Sequence, residues 1–74
     1  MRVTLNNINI RIADLGYELI RGDGYYYFFP LSLDTPELYD SFVPLMRLSR
    51  RSVEKWREDL VYRINKERPE EAVS

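Results

Sequence analysis

A chain of 74 residues with no cysteine, no histidine and a net charge of −1 is expected to form a single domain, near the size at which one core barely offsets chain entropy. The missing residue types exclude disulfides and thiolate metal sites, and remove the commonest general base and metal ligand. A role without catalysis, metal or cofactor is therefore the expectation. The charge gives no overall pull toward nucleic acid or anionic lipid, no stretch approaches the roughly eighteen apolar residues of a membrane span, and Met1 to Asn7 lacks the apolar run of a signal peptide, so a cytoplasmic protein is expected.

Thr4 to Gly16 has two readings. As a helix, Leu5, Ile8, Ile12 and Leu15 fall within about 80° of one another at roughly 100° per residue, with Thr4 as N-cap and Gly16 as the left-handed residue after the end. As a strand, Ile8, Ile10 and Ile12 alternate with Asn9 and Arg11, and their β-branching suits that pattern. The cap and stop signals favour the helix.

Tyr17 to Arg21 reads as a strand and Gly22-Asp23-Gly24 as a turn, its glycines supplying the positive φ of a type I′ or II′ hairpin. Tyr25 to Phe29 is the returning strand, ended by Pro30. A two-residue loop puts Tyr17, Leu19, Tyr26 and Phe28 on one face and Glu18, Ile20, Tyr25, Tyr27 and Phe29 on the other. Residues 31–41 form an acidic loop in which Thr35-Pro36-Glu37 predicts a short helical turn. Phe42 to Leu48 predicts a third strand, placed at an edge or interrupted by Pro44.

Ser52 to Glu67 is an amphipathic helix with Ser52 as N-cap and Val53, Trp56, Leu60 and Ile64 on one face. Lys55–Asp59, Asp59–Arg63 and Arg63–Glu67 are candidate ion pairs four apart. Pro69 stops this helix, and 69–74 reads as a flexible acidic tail after a domain at 1–68. The sum is an α+β fold: a small α-β-β-β-α domain, with an antiparallel three-stranded sheet and both helices on one of its faces.

That order is the plan of the double-stranded-RNA-binding-domain-like folds. Leu15-Gly16-Tyr17-Glu18-Leu19-Ile20-Arg21, followed by Gly24, resembles the start of the HicA-type toxins, which run a Gly-aromatic-Glu-Leu-Val-Arg strand into a Gly-Ser-His hairpin. The catalytic histidine of that family falls near Tyr25 or Tyr26 here, so the resemblance implies the scaffold without the ribonuclease. Gly16-Tyr17-Glu18-Leu19, Arg21-Gly22 and Gly24-Tyr25-Tyr26-Tyr27-Phe28 are also similar to a pattern in short bacterial and phage-type proteins of no assigned activity. That likeness implies a mobile-element origin and an inhibitor of a host system, of the anti-CRISPR kind.

The aromatic run poses the functional question. If Tyr26 and Phe28 enter the core, then Tyr25, Tyr27 and Phe29, with Glu18 and Ile20, are left on the open side of the sheet. Either the loop 31–41 covers them or they form a protein-binding surface, for a partner protein or a second copy in a dimer. Base stacking by single-stranded nucleic acid is the alternative. Arg47, Arg50, Arg51, Lys55 and Arg57 cluster at the start of the last helix and could hold phosphate, although interleaved Glu54, Glu58 and Asp59 favour a self-compensated surface. Asp34, Glu37 and Asp40 match no established metal loop. Arg21-Gly22-Asp23 spells an integrin-binding tripeptide but is read as turn chemistry.

Overall fold

The computed structural model describes residues 2–69; of the expected tail, 70–74 lies outside the described residues. The chain runs through α1 (Leu5–Ile12), β1 (Tyr17–Arg21), β2 (Tyr25–Pro30), β3 (Phe42–Pro44) and α2 (Val53–Glu67), with 3-10 turns at Ala13–Leu15 and Leu48–Arg50. The three strands form one antiparallel sheet in the order β1-β2-β3. This is the expected small α+β domain.

The helical reading of the first segment holds. Thr4 is extended, and its side chain accepts a hydrogen bond from the Asn7 amide at 3.1 Å. Ile8 and Ile12 are buried while Ile10 between them is exposed, whereas a strand would put all three on one face. The end tightens into a 3-10 turn, and Gly16 at φ 90° returns its N–H to the carbonyl of Ala13.

The hairpin pairs Leu19 with Phe28 and Arg21 with Tyr26. Its inward face buries Tyr17, Leu19, Tyr26 and Phe28, as the parity predicts. The turn itself differs from expectation. Among the central residues only Gly24 has positive φ, at 85°. Type I′ needs positive φ at both central positions and II′ at the first, so Asp23-Gly24 forms neither primed turn. Gly22 serves differently: the Tyr25 ring lies over its backbone, where a Cβ would come within 2.5 Å of the ring.

The third strand is shorter than expected. It pairs Tyr26 with Val43 and Tyr27 with Phe42 and ends at Pro44, so 45–48 are not strand. Proline cannot donate to the ladder, and the chain leaves the sheet there. Nor does 35–37 form a helical turn; the turn falls at Leu33 and Asp34, closed by the Thr35 N–H donating to Ser32 at 3.2 Å. The loop is tied down elsewhere. The Glu67 carboxylate accepts from the Tyr39 and Asp40 amides at 2.8 and 3.0 Å, and the Tyr17 hydroxyl donates to the Pro36 carbonyl. Leu38 is thereby delivered into the core.

Both helices join the inward sheet face in one apolar cluster, where Val53, Trp56, Leu60 and Ile64 meet Ile8, Ile12 and Val43. Trp56 is fully buried, edge-on to Tyr26 at 6.0 Å, with its indole N–H on the Leu48 carbonyl at 3.0 Å. The helices are also joined by two crossed pairs. Arg11 of α1 holds Glu54 of α2, and Arg57 of α2 holds Asp14 just past α1, each through two guanidinium nitrogens. Of the expected pairs four apart, Asp59–Arg63 forms at 3.1 Å. Lys55 instead meets Glu58, and Glu67 serves the loop amides.

Candidate functional site: the aromatic sheet face

The site follows from the pleat. Because side chains alternate across a strand, the register that buries Leu19, Phe28 and Val43 turns their neighbours to the opposite side. Glu18 lies opposite Phe29, Ile20 opposite Tyr27, and Tyr27 opposite Phe42. The expected set of Glu18, Ile20, Tyr25, Tyr27 and Phe29 is thus brought together on one face. Phe42 joins it, a residue that the sequence reading missed because the register of β3 was not fixed. Its alternation with the core residue Val43 was the available signal.

Four rings form a continuous patch. Tyr25 and Phe42 meet at 5.0 Å and 81°, Tyr27 and Phe42 at 6.2 Å and 73°, Tyr27 and Phe29 at 6.2 Å and 85°. These are edge-to-face contacts, the arrangement that ring quadrupoles favour over a face-to-face sandwich. Phe42 keeps 60% of its surface in solvent and Phe29 44%, while Tyr25 and Tyr27 are half-buried by their neighbours.

The loop borders this face along one side. Its Glu37, Leu38 and Ser41 line a groove of about 280 Å³ together with Tyr25, Tyr27, Phe29 and Phe42. The Ser41 carbonyl accepts from the Phe28 amide at 3.1 Å, which carries the loop alongside β2 beyond the end of β3. Leu31 and Leu33 beyond the strand are exposed and extend the apolar surface.

Three of the five basic residues around the start of α2 face carboxylates. Arg51 pairs with Asp59 at 2.8 Å and lies over the Trp56 ring at 4.7 Å. Lys55 pairs with Glu58 at 3.2 Å. Arg57 binds Asp14 and also donates to the Arg11 carbonyl at 2.7 Å. Among the described residues only Arg47 and Arg50 of the five make no ion pair. The Arg57 hydrogen bond holds the Asp14 carboxyl below its ordinary pKa, and Asp14 in turn raises Arg57.

Of the acidic loop residues, Asp40 is engaged by Arg63, and among the described residues no three acidic groups converge as metal ligands would. Among those residues too, no helix is long and apolar enough to cross a membrane. No protein-family model, curated protein or solved structure matches this chain.

Proposed function

We propose that this chain is a small non-catalytic protein-binding domain whose working surface is the open face of the sheet. One observation carries the reading: Tyr25, Tyr27, Phe29 and Phe42 form a contiguous ring cluster on the side of the sheet opposite both helices. Tyrosine and phenylalanine offer large contact area at low entropy cost, and contiguous exposed apolar patches mark association sites.

The edges of the sheet support a face-on mode over strand addition. β3 is short and ends in proline, while the free edge of β1 is capped by Asn9 of α1. Pairing through either edge is thereby discouraged. The likeness of Gly16 to Phe28 to short phage-type proteins extends the reading to a host-directed inhibitor. The nucleic-acid alternative draws less support, since Arg51, Lys55 and Arg57 already face carboxylates.

The test is a Tyr27→Ser, Phe42→Ser double variant, checked for an unchanged amide NMR fold. The variant is expected to lose retention of the partner or copy that wild type holds by light scattering and affinity capture. Retention equal to wild type would move the binding surface elsewhere.

A further inference from the structure

We propose that the occupant of the aromatic groove is an arginine side chain presented by a basic segment of a partner protein, an inference that rests on the protein-binding reading above. Charge is the first reason. The strand residues on this face contribute one carboxylate, Glu18, and no cation. The loop adds Glu37, which lines the groove beside Phe29, while Glu18 faces Phe29 across the strands. Neither carboxylate has an ion-pair partner among the described residues. The face therefore presents two unneutralised negative groups around an apolar patch, and a positive group on the partner complements them.

Ring geometry is the second reason. In an edge-to-face pair one ring spends a face and the other only its edge, so the second ring keeps its faces for a ligand. Tyr25 and Tyr27 each stand at a steep angle to Phe42, and Phe29 to Tyr27. The patch is thus a set of corners between ring faces and edges. The negative faces of aromatic rings attract cations, and arginine is the commoner partner because its planar guanidinium is weakly hydrated and stacks. The groove of about 280 Å³ is at the lower bound of small-molecule sites, and suits one side chain better than a cofactor.

The same charges weigh against the other occupants. Two copies packed face to face about a two-fold axis would gather two sets of Glu18 and Glu37 at one apolar contact, with no cation among the strand residues of that face to pair them. A nucleic acid stacking on Tyr25 and Tyr27 would bring phosphates toward the same carboxylates.

The experiment titrates the full chain with a short capped peptide of alternating glycine and arginine, followed by amide NMR. Its citrulline counterpart, which keeps shape and loses charge, and a single-stranded oligonucleotide serve as comparison probes. The arginine peptide is expected to shift the amides of Tyr25 to Phe29 and of Phe42, and to bind about tenfold more tightly than the citrulline peptide. A Glu18→Gln, Glu37→Gln variant should reduce that preference severalfold while remaining folded. Tyr27→Leu, which keeps apolar area but removes the ring, should weaken the arginine peptide and leave the citrulline peptide unchanged. Equal binding of the two peptides, shifts confined to α2, preference for the oligonucleotide, no binding at this face, or a dimer through this face would each overturn the proposal. Equal binding combined with partner loss in Tyr27→Ser, Phe42→Ser would overturn the arginine assignment alone and leave the protein-binding reading standing.

Discussion

Asn9 offers its side-chain amide to both backbone groups of Leu19, accepting from the N–H at 2.6 Å and donating to the carbonyl at 3.1 Å. A helix side chain thus stands where a fourth strand would pair. Asn9→Ala leaves a part-buried donor and acceptor without their partner, a cost of about 1–3 kcal/mol. Asn9→Asp keeps the acceptor and sets a carboxylate oxygen against the Leu19 carbonyl, so it should be no better than alanine. Urea denaturation and exchange protection of the Leu19 amide check both. Wild-type protection in Asn9→Ala would show that the edge does not depend on this cap.

Trp56 holds the largest share of the core. Its ring is fully buried, edge-on to Tyr26, and anchored through Leu48. Trp56→Ala is expected to cost about 3–5 kcal/mol, most of the stability that a domain of this size possesses. Trp56→Phe keeps most of the apolar area but removes the indole bond to the Leu48 carbonyl, which then keeps only the Arg51 amide at 3.3 Å, so it should lose about 1 kcal/mol. Calorimetry distinguishes them, and near-equal melting of Trp56→Ala and wild type would contradict the packing described.

The two turn glycines should respond to different substitutions. Gly24 has open space around it but sits at φ 85°, so backbone strain alone opposes a side chain. Gly24→Ala is expected to cost about 1 kcal/mol, and the β-branched Gly24→Val more. Gly22 has no positive φ, yet a Cβ there meets the Tyr25 ring. Gly22→Ala should therefore swing that ring away, read as a change in Tyr25 ring shifts. An undisturbed Tyr25 would refute the contact.

The Asp14–Arg57 pair makes stability depend on acid. The folded-state pKa of Asp14 is lowered, chiefly by the Arg57 hydrogen bond. A depressed carboxylate stabilises the fold above its unfolded value and loses that contribution as pH falls through the folded one. The loss should begin below about pH 4, where unfolded aspartate takes up its proton. Asp14→Asn should flatten this part of the stability profile, because the asparagine does not titrate. The same acid slope in Asp14→Asn and wild type would assign the effect to other carboxylates.

Most of the fold was legible because it rests on local signals. Thr4, Gly16 and Ser52 are caps whose function needs only neighbouring backbone, and strand parity follows once a two-residue turn is set. What escaped depends on residues far apart in sequence. Leu38 enters the core because Glu67 and Tyr17 pin its loop, and no period in an acidic, proline-bearing loop announces that. Arg11–Glu54 and Arg57–Asp14 displaced the simpler picture of ion pairs along one helix. Phe42 escaped the site for the same reason, since its face depends on pairing across to Tyr27.

Phe42 and Val43 provide the sharpest test of the sheet face, because adjacent residues should behave oppositely. Val43 is fully buried opposite Tyr26, and Val43→Ala removes apolar volume from the core at a cost of about 1–3 kcal/mol. Phe42 is mostly exposed, so the edge-to-face contacts with Tyr25 and Tyr27 that its loss removes lie at the weak end of their range, about 0.5 kcal/mol each. Phe42→Ala should therefore melt closer to wild type than Val43→Ala does. Association should show the reverse order: Phe42→Ala weakens partner or peptide binding at the aromatic face, while folded Val43→Ala retains it. A one-residue slip of β3 against β2 would exchange the two residues between core and solvent. Greater destabilisation by Phe42→Ala than by Val43→Ala would reveal that slip, and with it a different set of rings on the open face.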